Sequence, residues 1–185
     1  MELNKYSNIV DMLHYEKRSG FTLGFLNESD PFYPDHVKES FEIKIKYCDG
    51  KEKEKTIATI EGVLFRMTEY KEENGEFVDP FEYDNADEAC VGRHIWLNYG
   101  VYPPVPENFP NVVYIKNIRL SKPYRGGDVE GALLFAIKQI ISRDCHTAVD
   151  HVAYIIGKNE NRSMFDSCEH ISVETDEDGN VIALV

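Results

Sequence analysis

The stretch from Asn111 to Ile156 constrains the fold more than any other. "NVVYIKNIRL" has the β-branched and aromatic content of a strand. After a short loop, Val129, Ala132, Leu133, Ala136, Ile137, Ile140 and Ile141 recur at three- and four-residue steps, the stripe of a helix lying on a sheet. "TAVDHVAYII" is strand-like again. Strand, helix, strand makes a βαβ unit, and its two strands are expected to run parallel, joined right-handed through the helix.

Around this unit the pattern is mixed. In "FEIKIKY", Phe41, Ile43, Ile45 and Tyr47 alternate with charged residues; the turn "CDGKEKEK" and the run "TIATIEGVLFRM" complete a β-hairpin. "TEYKEENGEFVDPFEYDNADE" is an acidic, solvated connection, most acidic from Asp79 to Glu88. "DNADEACVGRHIWLNYG" then reads as a helix, with Asp87 and Glu88 at its positive end and Gly100 as its stop. The prolines of "YPPVPENFP" separate it from the next strand, so it is expected as an insertion set apart from its neighbours. A short helix over about 159–167 and a terminal hairpin turning at Asp178-Gly179 follow. Residues 1–40 form an N-terminal arm with one helix, carrying Tyr6, Ile9, Val10 and Leu13 on one face. The expected fold class is thus α/β (α+β): one domain over 1–185, with a core over 41–185, a mixed central sheet, flanking helices and a helical insertion before the central strand.

Charge and composition narrow the function. A formal charge of −13 disfavours direct nucleic-acid binding and attraction to an anionic membrane. No run approaches the roughly 18 apolar residues of a membrane span, and the N-terminus lacks a signal-peptide core, so a cytoplasmic location is expected. Cys48, Cys90, Cys145 and Cys168 are scattered, which suits buried thiols. Neither Cys145-His146 nor Cys168-x-His170 has a zinc-ligand spacing, and no metal is expected. His151 beside Asp150 reads as a structural histidine.

One segment stands against the acidic background. Residues 111–127 contain Lys116, Arg119, Lys122 and Arg125 and no Asp or Glu, and Arg125-Gly126-Gly127 leads into the helix beginning near Val129. A helix N-terminus leaves backbone N–H groups unpaired and carries partial positive charge, so such a loop can hold a phosphate with main-chain atoms.

On these residues, "VVYIKNIRLSKPYRGGDVEGALLFAIKQI" resembles the central motif of the GNAT superfamily of acyl-CoA-dependent N-acyltransferases. There a strand ends in a hydrophobic-plus-P-x-Y-R-G stretch and runs through Arg/Gln-x-x-Gly-x-Gly/Ala into a helix. The order of hairpin, central strand, helix, strand, short helix and terminal strands fits as well. The resemblance implies a GNAT-like sheet whose central strand splays from the next to admit the pantetheine arm. It implies acetyl-CoA or another acyl-CoA held around Ile118, Arg119, Leu120, Lys122, Arg125, Gly126, Gly127, Asp128, Val129, Glu130 and Asn159, and transfer of the acyl group to an unknown amine. Asp128 and Glu130 depart from the motif, because they stand where it has Gly and Gly or Ala. Asp166 stands where many members carry a Tyr that protonates the leaving thiolate. The central strand offers no Glu as a base, which leaves Glu61, Glu82 and His94 as candidates, with His94 and Trp96 able to line an acceptor cleft. The other expectation is a non-catalytic acidic module on the same scaffold, an inhibitor or polyanion mimic that binds a basic protein partner.

Overall fold

The computed structural model describes residues 21–26, 38–48, 54–66, 86–99, 110–125, 129–144, 148–158, 165 and 170–185. They form strands β1 (Phe21–Leu26), β2 (Lys38–Cys48) and β3 (Glu54–Phe65), helix α1 (Ala86–Tyr99), strand β4 (Val112–Leu120), helix α2 (Val129–Asp144), and strands β5 (His151–Ile156), β6 (Ser172–Thr175) and β7 (Val181–Leu184). The strands make a single mixed sheet of seven in the order β1-β2-β3-β4-β5-β7-β6. Every neighbouring pair is antiparallel except β4 and β5, the two strands that flank α2, and these are parallel as the βαβ pattern requires.

Helices cover the two faces of this sheet. Val129, Leu133, Leu134, Ile137, Ile140 and Ile141 of α2 pack with Phe41, Ile43, Ile45, Ile57, Ile60, Val113, Ile115 and Val152. Each such aliphatic side chain contributes about 1.5–3 kcal/mol when fully buried. On the opposite face, Val91 and Ile95 of α1 pack with Val63, Phe65, Val112, Tyr114, Ala153, Ile182 and Leu184. The helix expected as an insertion set apart from its neighbours is therefore an insertion in the chain only. Its apolar residues at i and i+4 close the second layer, because β3, β4 and β7 present a buried row that must be covered.

Within β4 the pattern changes phase. Val113 and Ile115 face the α2 layer, and so do Ile118 and Leu120, although these are of opposite parity along the strand. A β-bulge makes the switch: Glu61 pairs with Asn117 and Gly62 with Ile115, so Lys116 is the extra residue. Gly62 is needed opposite this bulge. A Cβ there would lie 2.6 Å from the Tyr114 carbonyl oxygen and 2.6 Å from Phe41 Cζ.

Residues 21–26, placed by sequence in the N-terminal arm, form an edge strand paired with β2. The terminal hairpin turns where expected, with Gly179 at φ 84°, a left-handed conformation natural to glycine. The arm helix near 6–13, the connection over 68–85, Gly126 to Asp128 and most of 159–167 lie outside the described residues. Of the last, Phe165 is described, and it is helical and buried.

Candidate functional site

Two places bring chemistry-bearing residues together. The first is the stretch over which the β4–β5 ladder begins and ends. Asn111 staples the starts of these strands: its N–H donates to Asp150 Oδ2 (2.7 Å), its Nδ2 donates to the Ala148 carbonyl (2.9 Å), and its carbonyl accepts from Asp150 N–H (2.9 Å). The ladder then runs from Val112–His151 to Ile115–Tyr154 and stops there, while β4 continues to Leu120 beside β3 and β5 to Ile156 beside β7. The strands are held together at one end and unpaired at the other.

The chain leaves that open end through a turn over Lys122–Tyr124, with Pro123 at its start, before α2. Arg125 closes the turn. Its N–H donates to the Lys122 carbonyl and its Nε to the Leu120 carbonyl (2.9 Å). Lys122 and Arg125 are exposed, and Val129, on the first turn of α2, is buried in the core. Two cations of the basic stretch are already engaged, Arg119 with Glu61 and Lys116 with Glu88. Ile118 is half-buried and Leu120 buried in the α2 layer. Of the residues assigned to an acyl-CoA by resemblance, Ile118, Arg119, Leu120, Lys122, Arg125 and Val129 thus fall on one strand–turn–helix passage beyond the end of the β4–β5 ladder. Gly126, Gly127, Asp128, Asn159 and the Glu130 side chain lie outside the described part, as does Glu82.

The second place is a cleft of about 420 Å³ between α1 and the β6–β7 hairpin, lined by Cys90, His94 and Leu97 on one side and by Glu174, Asp176 and Asp178 on the other. His94 is only 6% exposed. Its Nε2 donates to Glu174 Oε2 (2.7 Å), and its Nδ1 faces Asn98 Nδ2 (3.3 Å), which also donates to the His94 carbonyl (2.8 Å). Tyr99 and Ser172 donate to the other Glu174 oxygen. Burial alone would raise the Glu174 pKa, but the donors from Tyr99, His94 and Ser172 outweigh it and hold the carboxyl below its usual range. The bond to Glu174, then burial, raises the Tyr99 phenol.

One turn earlier on α1, Cys90 donates its thiol proton to Asp176 Oδ2 (2.9 Å), and Asn180 Nδ2 donates to Asp176 and approaches Cys90 Sγ. Burial, reinforced by Asp176, pushes the Cys90 thiol up to about 12. Burial would also raise Asp176, but hydrogen bonds from Cys90, Asn180 and the hairpin backbone bring it down to about 2. Cys90 and His94 share a helical face, yet the thiol is a donor to a carboxylate and not an activated nucleophile. At the far end of α1, the Tyr99 ring lies 4.7 Å from that of His151. Burial, then Lys138, lowers the His151 pKa, which keeps this imidazole neutral.

Among the described residues, no group of three or more His, Cys, Asp or Glu is placed to hold a metal ion, and no helix is long and apolar enough to cross a membrane. Sequence reasoning singled out His94 but not its partners. Glu174, Asp176 and Asn180 come from the terminal hairpin, and only the tertiary fold brings them to α1. No protein-family model matches this chain, and a search of curated proteins finds no match.

Proposed function

We propose that this chain is an acyl-CoA-binding protein of the GNAT type that transfers an acyl group to an amine. The observation that carries the reading is the parting of β4 from β5 after Ile115–Tyr154, directly upstream of a turn that exposes Lys122 and Arg125 and leads into α2. An elongated thioester needs a slot between strands and cations near its phosphates, and these residues fit both needs. When bound, an acyl-CoA supplies a thioester carbonyl open to attack by an amine, with cleavage of the C–S bond. Around it, Lys122 and Arg125 add positive charge, and α2 presents the N–H groups of its first turn.

A base must take a proton from the attacking amine. Glu61 is tied to Arg119 in an exposed ion pair, so its carboxylate is already engaged. His94, in the α1 cleft, has a carboxylate behind Nε2, which leaves Nδ1, now facing Asn98 Nδ2, as the proton acceptor, the arrangement of an oriented imidazole base. His94 is therefore the described candidate we favour for this step.

Calorimetric titration with acetyl-CoA tests the reading. Saturable binding is expected, weakened by Arg125→Ala and tightened by Asp128→Gly, which removes a carboxylate worth about 1 kcal/mol or more of repulsion if it lies close to the phosphates. No heat at millimolar acetyl-CoA, or equal affinity in all three proteins, refutes it.

A further inference from the structure

We propose that Glu174 and Asn98 are positioning residues for His94: Glu174 fixes which ring nitrogen is free to take a proton, and Asn98 holds that nitrogen until an incoming amine takes its place. Glu174 comes from β6, and Asn98 lies one turn beyond His94 on α1.

The tautomer follows from which groups donate and which accept. An ionised carboxylate only accepts, so the Nε2 that lies 2.7 Å from Glu174 Oε2 carries the proton. Asn98 Nδ2 donates to the His94 carbonyl at 2.8 Å, and a carbonyl only accepts, so the amide is oriented with its nitrogen on this side. The same nitrogen lies 3.3 Å from Nδ1, which therefore holds a lone pair. Both neighbours select one tautomer. The other would set a lone pair against the carboxylate and one N–H against another. With His94 only 6% exposed, water has little access to make up for such a mismatch.

Glu174 is itself held in place. Tyr99 and Ser172 donate to its Oε1, which leaves Oε2 for His94. Docking of the hairpin does not depend on this arrangement alone, because Cys90–Asp176 and Arg93–Asp178 also join it to α1. Asn98, in contrast, is exposed and lines the cleft beside His94. When Nδ1 takes a proton it becomes a donor, and the Asn98 N–H can no longer face it. The amide must swing away, which an exposed side chain does without leaving a buried group unpaired. An N–H of the attacking amine thus replaces that of Asn98. Its proton passes to Nδ1, its bonding pair stays on the amine nitrogen, and Nε2 keeps its bond to Glu174.

The role of Nδ1 as base rests on the acyl-transfer reading; the tautomer does not. Long-range ¹H–¹⁵N spectra of the His94 ring in the labelled full chain test it. In mildly alkaline buffer the wild type should show a protonated Nε2, with its proton shifted downfield, and an unprotonated Nδ1. Glu174→Met, of similar volume but without the carboxylate, should lose the downfield proton, and its two ring ¹⁵N shifts should draw together as the tautomers mix. Tyr99→Phe, which loosens the hairpin but leaves Oε2 on His94, should keep the wild-type spectrum. Asn98→Ala should also keep the tautomer, while modification of His94 by diethyl pyrocarbonate, read by peptide mass spectrometry, becomes several-fold faster as Nδ1 is uncovered.

A wild-type ring protonated at Nδ1, or a Glu174→Met protein that melts lower yet keeps the wild-type ring spectrum, overturns the role of Glu174. Unchanged labelling in Asn98→Ala overturns that of Asn98. If Glu174→Met does not fold, Glu174→Ala is read by the same criteria. Should acetyl-CoA fail to bind while the spectra behave as expected, the positioning of His94 stands and the acyl-transfer reading falls.

Discussion

Replacing Gly62 by Ala tests the packing around the β4 bulge directly. The new methyl group would sit 2.6 Å from Phe41 Cζ and 2.6 Å from the Tyr114 carbonyl oxygen, against an ordinary contact of 3.4 Å or more. Phe41 is buried among Ile43, Ile45 and Ile60, and the carbonyl belongs to a strand bonded on both sides, so neither can move freely. Overpacking of this kind costs about 1–3 kcal/mol, and the rigid backbone contact argues for the upper part. The reduced freedom of the unfolded chain returns roughly 0.4–1 kcal/mol, leaving a net loss of about 2 kcal/mol. For a domain of this size that lowers Tm by roughly 4–8 °C. Thermal melts followed by circular dichroism measure it, with Gly179→Ala as a control, since its Cβ would meet nothing within 4 Å and only its positive φ opposes it. Adding Phe41→Leu to Gly62→Ala should not bring the melting temperature back to that of Phe41→Leu alone, because the carbonyl contact remains. A Gly62→Ala protein that melts with the wild type would refute the close approach of β3 and β4.

Acid stability follows from Glu174 and Asp176. Both have folded pKa values below their unfolded ones, so the stability they contribute is complete above about pH 4.5 and is lost as pH falls toward about 2; Glu174→Gln with Asp176→Asn should flatten this limb of a stability-against-pH curve. Cys90, pushed up to about 12, should alkylate slowly with iodoacetamide at pH 8, and Asp176→Asn should speed the reaction several-fold, as read by peptide mass spectrometry; fast labelling of wild-type Cys90 would contradict the Cys90–Asp176 bond. Tyr99→Phe removes one of three donors to Glu174 and should cost about 1 kcal/mol of stability in urea unfolding.

The sequence was most informative where periodicity and chain order coincide. The α2 stripe ran from Val129 to Ile141, and with a strand on each side it foretold the parallel pair. The terminal hairpin was legible from Asp178-Gly179. The edge strand Phe21–Leu26 was not, because a run of that length does not separate helix from strand by period. The bulge at Lys116 was present as a phase change between Val113, Ile115 and Ile118, Leu120, but it becomes meaningful only once these four are known to share one face. The partners of His94 were hidden for another reason: Glu174 lies 80 positions away, and no local pattern links the two.

Laying α1 over the sheet has a kinetic price. Strands β3 and β4 are antiparallel neighbours, yet the chain from residue 66 to residue 111 separates them, where a tight turn would have sufficed. Closing so long a loop costs about 2 kcal/mol more than closing a short one, before any pairing rewards it. The β2–β3 hairpin can zip early, whereas the centre of the sheet must wait for a distant segment to return. A shortened protein with a tight turn from β3 to β4 would pair these strands sooner. It would also leave Val63, Phe65, Tyr114 and Ile182 bare, exchanging slow assembly for a sticky surface.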